Sequence, residues 1–171
     1  MKTIIIIILS LFDLSIYAQE NPFNDLKYDK VVAYEFQGDG FRTIDIVLNG
    51  EQKLLDNKTT LDSFQINRFE DIICKKDAYG QNTASCFDPH FAVIYFLDDS
   101  VVAQIDVCLS CNYLISSVEI PAVNLIKVGE GTEYERPLYG FSKSTRKDLD
   151  EFITSLNFIK YRESFESIFD D

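Results

Sequence analysis

Phe91-Ala-Val-Ile-Tyr-Phe-Leu97, Asp98-Asp99-Ser100 and Val101-Val-Ala-Gln-Ile-Asp-Val-Cys-Leu109 form the stretch whose reading decides the fold. The first seven residues are apolar on both faces of an extended chain, the pattern of a strand covered on both sides and therefore central in its sheet. The last nine alternate: positions 101, 103, 105, 107 and 109 are apolar, while 104, 106 and 108 are not. A hairpin follows, and its loop length sets which side chains meet, because a slip of one residue moves every side chain to the other face. With a loop of Asp98-Asp99, Cys86 lies opposite Cys111 and His90 opposite Val107. With a loop of Asp98 to Ser100, His90 lies opposite Cys108 and Cys86 shares its face. The longer loop segregates the apolar residues better, pairing Phe91 with Val107, Val93 with Ile105 and Tyr95 with Ala103, and it is the one expected here.

Toward the C-terminus a third run, Tyr113 to Ile120, stops at Pro121, which cannot donate to a ladder; Val123 to Val128 could add a fourth strand. Consecutive strands with short connections predict an antiparallel meander. Gly129 to Gly140, with Tyr134, Pro137 and Tyr139, reads as a surface crossover in preference to a binding loop. Ser142 or Ser144 can cap a helix whose core stripe is Leu149, Phe152, Ile153 and Leu156. Phe165, Ile168 and Phe169 repeat that spacing in an acidic tail.

Toward the N-terminus, Val31 to Phe36 predicts a strand that ends at Gly38-Asp-Gly40. Ile44, Ile46 and Leu48 lead to Asn49-Gly50, which suits a type I′ turn and a return strand from Glu51 to about Leu55. Thr59 or Thr60 is then expected to cap a helix reaching about Ile73, with Leu61, Phe64, Arg68 and Ile72 along one face and Phe69 and Ile73 beside them. Together these elements predict an α+β fold, two amphipathic helices on one face of an antiparallel β-meander sheet, in a single domain over residues 19–171.

Residues 1–18 read as a secretory signal peptide: Lys2 supplies a positive start, Ile4 to Phe12 is apolar apart from Ser10, and Ala18 is small. The apolar run meets Asp13 far short of the ~20 residues a bilayer span needs, so export to the periplasm or the extracellular space is expected, without membrane insertion. A net charge of −12 survives removal of that segment, which carries one Lys and one Asp. Such a surface disfavours nucleic acid and anionic lipid, leaving an unknown protein or small molecule as the expected partner.

Three of the four cysteines and the only histidine lie between Cys86 and Cys111. In an exported chain the first expectation is a disulfide acting as a structural staple. A bridge from Cys86 to Cys108 or Cys111 would contribute roughly 3 kcal/mol by loop entropy. Three residues of straight strand span ~10 Å, beyond the ~7 Å limit between bridged α-carbons, so Cys108 and Cys111 can join only if the chain turns there. Ser110 and Asn112 are turn-formers; Cys74 could then pair with Cys86. A second expectation is a Cys3His site of Cys86, His90, Cys108 and Cys111 holding one zinc-like ion. The third is a redox pair at Cys108 and Cys111, against which stands the absence of a helix after the motif. Four cysteines allow three pairings, and spacing does not choose among them.

Cys86-Phe-Asp-Pro-His90, Val93-Ile-Tyr-Phe96, Val107-Cys108-Leu-Ser-Cys111-Asn112 and Gly140-Phe-Ser-Lys143 resemble a group of exported, uncharacterised bacterial proteins built around C-[FY]-x-P-H and I-C-x-x-C-N segments. The resemblance covers about half of the chain after residue 18 and implies no activity. It also implies three cysteines and the histidine as the shared set, with Cys74 an addition. Hydrolytic chemistry has little support, since residues 86 and 90 of a straight strand lie ~13 Å apart and acidic residues in an acidic chain are mostly solvated. The expectation carried forward is a non-enzymatic exported binding module.

Overall fold

The computed structural model of the chain describes residues 21–38 and 55–160. Five strands form one antiparallel sheet: β1 (Lys30–Phe36), β2 (Leu55–Thr60), β4 (Phe91–Leu97), β5 (Ser100–Cys108) and β6 (Tyr113–Ser116), in the order β2-β1-β4-β5-β6. Two helices, α1 (Ser63–Cys74) and α2 (Lys143–Ser155), pack on one face. The fold is therefore α+β, with β4 at the centre as its two-sided apolar run requires. The leader, the Asn49-Gly50 hairpin and the Phe165 to Phe169 spacing lie outside the described residues. Among the described residues no helix is long and apolar enough to cross a membrane.

The β4–β5 hairpin combines the two loop lengths the sequence allowed. Phe91 pairs with Val107, Val93 with Ile105 and Tyr95 with Ala103, the register of the longer loop. Beyond Tyr95 the ladder shifts, so that Phe96 faces Val101 and Leu97 faces Ser100 across a two-residue turn. Val102 is the extra residue of a β-bulge. Asp98 and Asp99 both take positive φ, 49° and 62°, as a type I′ turn demands and as short polar side chains tolerate.

The strand face toward the helices carries Val31, Ala33, Phe91, Val93, Tyr95, Ala103, Ile105 and Val107, all buried with Phe69, Ile73, Leu149, Phe152 and Ile153. Arg68 lies over the Phe152 ring and Lys75 bridges to Asp148 at 2.6 Å, closing the α1–α2 seam. The opposite face holds a second buried cluster of Val32, Tyr34, Phe36, Ala92, Ile94 and Phe96.

Several expectations are corrected. Thr59 and Thr60 belong to β2, because their β-branched side chains suit the strand; the α1 cap is Asp62, whose carboxylate accepts from Gln65 N while Gln65 Oε1 accepts from Asp62 N. This shift of frame leaves Phe64 exposed and turns Ile66, Phe69, Glu70 and Ile73 inward. The third strand ends at Ser116, and Pro121 opens a 3₁₀ turn at Pro121–Asn124 where a fourth strand was expected, since its ring suits the first helical position. Tyr79–Gln81 (β3) is a further short strand, and β7 (Lys127–Val128), the last two residues of the expected fourth strand, pairs with β8 (Arg136–Pro137) inside the expected loop. Gly140–Phe141 (β9) pairs with β3, and Ser142 caps α2.

Asp62→Ala removes the reciprocal pair at the α1 start and is expected to lower unfolding free energy by about 1 kcal/mol in denaturant titration. A loss of the same size from Ser63→Ala would show that the box does not anchor this helix.

Candidate functional site

The four-residue connection from β5 to β6, Leu109 to Asn112, gathers the cysteine motif and the most distant parts of the chain. It turns sharply enough to bring the Cys108 and Cys111 α-carbons to 5.1 Å, and the two sulfurs are bonded. Asn112 then takes φ 65°, a left-handed conformation that asparagine tolerates, and turns the chain back into β6. Leu109 meanwhile drops into the main core.

Each sulfur of the bridge accepts a backbone N–H: Cys111 N donates to Cys108 Sγ at 3.1 Å, and Asp88 N donates to Cys111 Sγ at 3.2 Å. Ser110 Oγ stands 3.4 Å from Cys108 Sγ and 3.9 Å from Cys111 Sγ. Both half-cystines are buried with Phe87 in an apolar cluster that includes Ala84 and Tyr113. Ala84 N donates to Cys111 O at 2.9 Å, so the 84–88 segment is stitched along the turn. On the other side Asn112 Nδ2 donates to Asn82 O at 2.8 Å and to Phe141 O at 3.4 Å, and Phe141 N donates to Asn112 O at 3.0 Å. The buried Arg146 guanidinium, reaching from α2, donates to Leu109 O and to Asn112 Oδ1. A Cβ on Gly140 would overlap the carbonyls of Gln81 and Asn82, so glycine is what lets β9 close onto this turn.

The proposed ligand set of Cys86, His90, Cys108 and Cys111 is not brought together. Cys108 and Cys111 are joined to each other, whereas Cys86 is a free, exposed thiol. The His90 ring is engaged at the end of β1: its Nδ1 lies 3.1 Å from Gly38 N and 3.3 Å from Phe36 O, and its Nε2 lies 3.8 Å from Asp88 Oδ2. A Cβ on Gly38 would overlap the Asp88 carboxylate. Among the described residues no group of three or more His, Cys, Asp and Glu side chains could hold a metal ion. Cys74 and Cys86, one of the pairings the sequence allowed, are not joined. Cys74 is buried at the end of α1, where burial, then Glu70 and Asp71, push its thiol up to about 12.

Sequence reasoning treated Asp106 as solvated, yet it is fully buried on β5. Gln104 Nε2 donates to both of its oxygens at 3.0 Å, and burial pushes the carboxyl up to about 7 against that hydrogen bond. Arg146 was missed too, although its place three residues before Leu149 on the α2 stripe was a readable signal. No protein-family model, curated protein or solved structure matches the chain.

Two outcomes follow from this geometry. Asn112→Ala is expected to cost roughly 2–4 kcal/mol in denaturant titration and Asn112→Gly about 1 kcal/mol less, because glycine keeps the left-handed backbone without strain; equal losses would remove backbone strain from the account. Folded Asp106 retains a proton that the unfolded chain, at the ordinary value of 3.8, has released, so stability falls as pH rises from 3.8 to about 7 and is level above it. Asp106→Asn removes that slope, and its gain over the natural chain is expected to grow by roughly 2 kcal/mol between about pH 5 and about pH 8. A pH-independent difference in unfolding midpoints would show that Asp106 does not titrate in this way.

Proposed function

We propose that this chain is an exported, non-enzymatic binding module that contacts a protein partner through the arm at residues 125–139, with the disulfide turn as its structural staple. The single observation that carries this reading is where exposed apolar area lies. Leu125, Ile126, Val128, Tyr134 and Tyr139 are all exposed and all belong to the arm; the other large exposed hydrophobics among the described residues are Phe64 and Ile159. Tyr134 is 76% exposed. Apolar and aromatic side chains gathered on a surface mark contact sites, and tyrosine is favoured at their centres. The sequence alone favoured a plain crossover here; the grouping of these side chains favours contact.

The arm is pre-shaped. Gly129 and Gly131 take φ 68° and 75° at its tip, Thr132 Oγ1 donates to Gly129 O at 2.6 Å, and Lys127 pairs with Glu135 at 2.8 Å. Leu138 N donates to Ile126 O at 2.8 Å, and Ile126 packs so close to Gly80 that a Cβ there would meet its Cδ1 at 2.7 Å. At the far root, Phe141 is held by Asn112 of the disulfide turn. Ordering such a loop before contact lowers the entropy cost of binding. Export rests on the leader over residues 1–18 and agrees with a bridge that persists in an oxidising compartment. The non-enzymatic clause rests on the engagement of the single histidine by Gly38 and on the mutual bonding of two of the three clustered sulfurs.

A photo-crosslinking amino acid placed at position 134, and separately at the exposed Lys147 of α2, tests the reading in cells that export the chain. A discrete adduct from 134 that is absent from 147, and that weakens with Tyr139→Ala, is the expected result. No adduct from 134, or the same adducts from both positions, would overturn it.

A further inference from the structure

We infer that Cys86, Cys108 and Cys111 form a thiol–disulfide exchange site, in which the exposed Cys86 sulfur displaces Cys108 from Cys111. The inference does not depend on the arm as a binding surface. It rests on how the 84–88 segment lies along the bridge. Ala84 N bonds to Cys111 O and Asp88 N bonds to Cys111 Sγ, so Cys86 sits midway between two residues anchored on the same half-cystine. Chain geometry from Asp88 N then holds the Cys86 α-carbon within about 9 Å of Cys111 Sγ. Phe87 shares a buried cluster with both half-cystines, and Tyr113 Oη donates to Cys86 O at 3.1 Å, holding the chain just after the thiol beside the bridge. Residues 82–90 belong to no strand, so no ladder need break for Cys86 to turn inward.

The surroundings of the bridge choose the direction of attack. Exchange runs faster when the leaving sulfur is stabilised as a thiolate. If Cys111 is attacked, the leaving sulfur is Cys108, which already has the Cys111 N–H at 3.1 Å and the Ser110 hydroxyl at 3.4 Å. If Cys108 were attacked, the leaving Cys111 would have the Asp88 N–H at 3.2 Å and the same hydroxyl only at 3.9 Å. Attack on Cys111 is therefore the better supported course.

The step is an isomerisation and needs no oxidant. Cys86 gives its proton to water, its thiolate forms a bond to Cys111 Sγ, and the Cys108–Cys111 bond breaks with its electron pair going to Cys108. Cys108 then takes a proton from solvent, leaving one disulfide and one thiol as before. Its consequence is positional: a thiol at the surface is exchanged for one beneath it, and the turn at 108–112 loses its short bridge. Cys74 stands apart, since it is buried beside the Glu70 and Asp71 carboxylates.

The test uses the full chain with its natural cysteines. The folded protein is held at mildly alkaline pH, trapped with acid, labelled with N-ethylmaleimide in denaturant, digested without reductant and mapped by mass spectrometry. The expected result is a population in which Cys86 is linked to Cys111 and the label has moved from Cys86 to Cys108, with Ser110→Ala reducing that population. As a second arm, Cys108→Ser in a glutathione redox buffer is expected to form the Cys86–Cys111 link faster than Cys111→Ser forms Cys86–Cys108. Label confined to Cys74 and Cys86 in the natural chain, with the Cys108–Cys111 link intact, overturns the inference whatever the variants do.

Discussion

The left-handed turn at Asn112 is the constraint on which the rest of the arrangement depends. A chain reversing in four residues at the end of β5 leaves buried carbonyl and amide groups that water cannot reach, and each would cost about 1–3 kcal/mol if unmade. Here they are satisfied by segments far away in sequence: the Asn82 and Phe141 carbonyls, the Phe141 amide and the Arg146 guanidinium. One asparagine thus fixes the position of β3's exit, of β9 and of the start of α2. The bridge between Cys108 and Cys111 closes the same turn, and the arm at 125–139 takes its root from the contact of Asn112 with Phe141.

Other buried polar groups act on the same principle, each joining a segment end to the core. Glu70, on the inward face of α1, accepts from Tyr95 Oη and from Asn21 Nδ2, which ties down the first described residues of the chain. Glu35, on β1, accepts from Asn57 Nδ2 and from the Lys160 amide, which ties down the last. Burying a carboxylate is unfavourable unless its lone pairs find donors, so these contacts are selective: the chain end that supplies the donor has one place to go. Asp106 differs, because its donor Gln104 lies on the same strand; among the described residues it secures no distant segment, and it bears the cost of burial as a raised proton affinity.

Three cysteine environments result, and they differ in what their sulfurs can do. Cys74 is enclosed and, with its thiol held protonated, inert toward exchange. Cys108 and Cys111 are enclosed but bonded, with an amide donor on each sulfur. Cys86 alone meets solvent. A cluster that spacing made compatible with metal ligation is in the folded chain a bridge with a neighbouring thiol, since the turn that brings two sulfurs together also directs them at each other, while the histidine is taken by the end of β1.

What the sequence by itself determined were the features carried by local periodicity: the two-sided strand at 91–97, its register against 103–107, and the α2 stripe with its serine cap. These follow from side-chain alternation and helical spacing, which a short window contains. Only the tertiary structure decided which polar residues are buried, which sulfurs are joined, and which apolar side chains stay outside. Glu70, Asp106 and Arg146 look like surface residues because the donors or apolar layers that enclose them come from elsewhere in the chain. The turn at Asn112 is likewise settled by contacts across the fold, since its left-handed backbone seats side chains that meet only after the sheet and helices have packed.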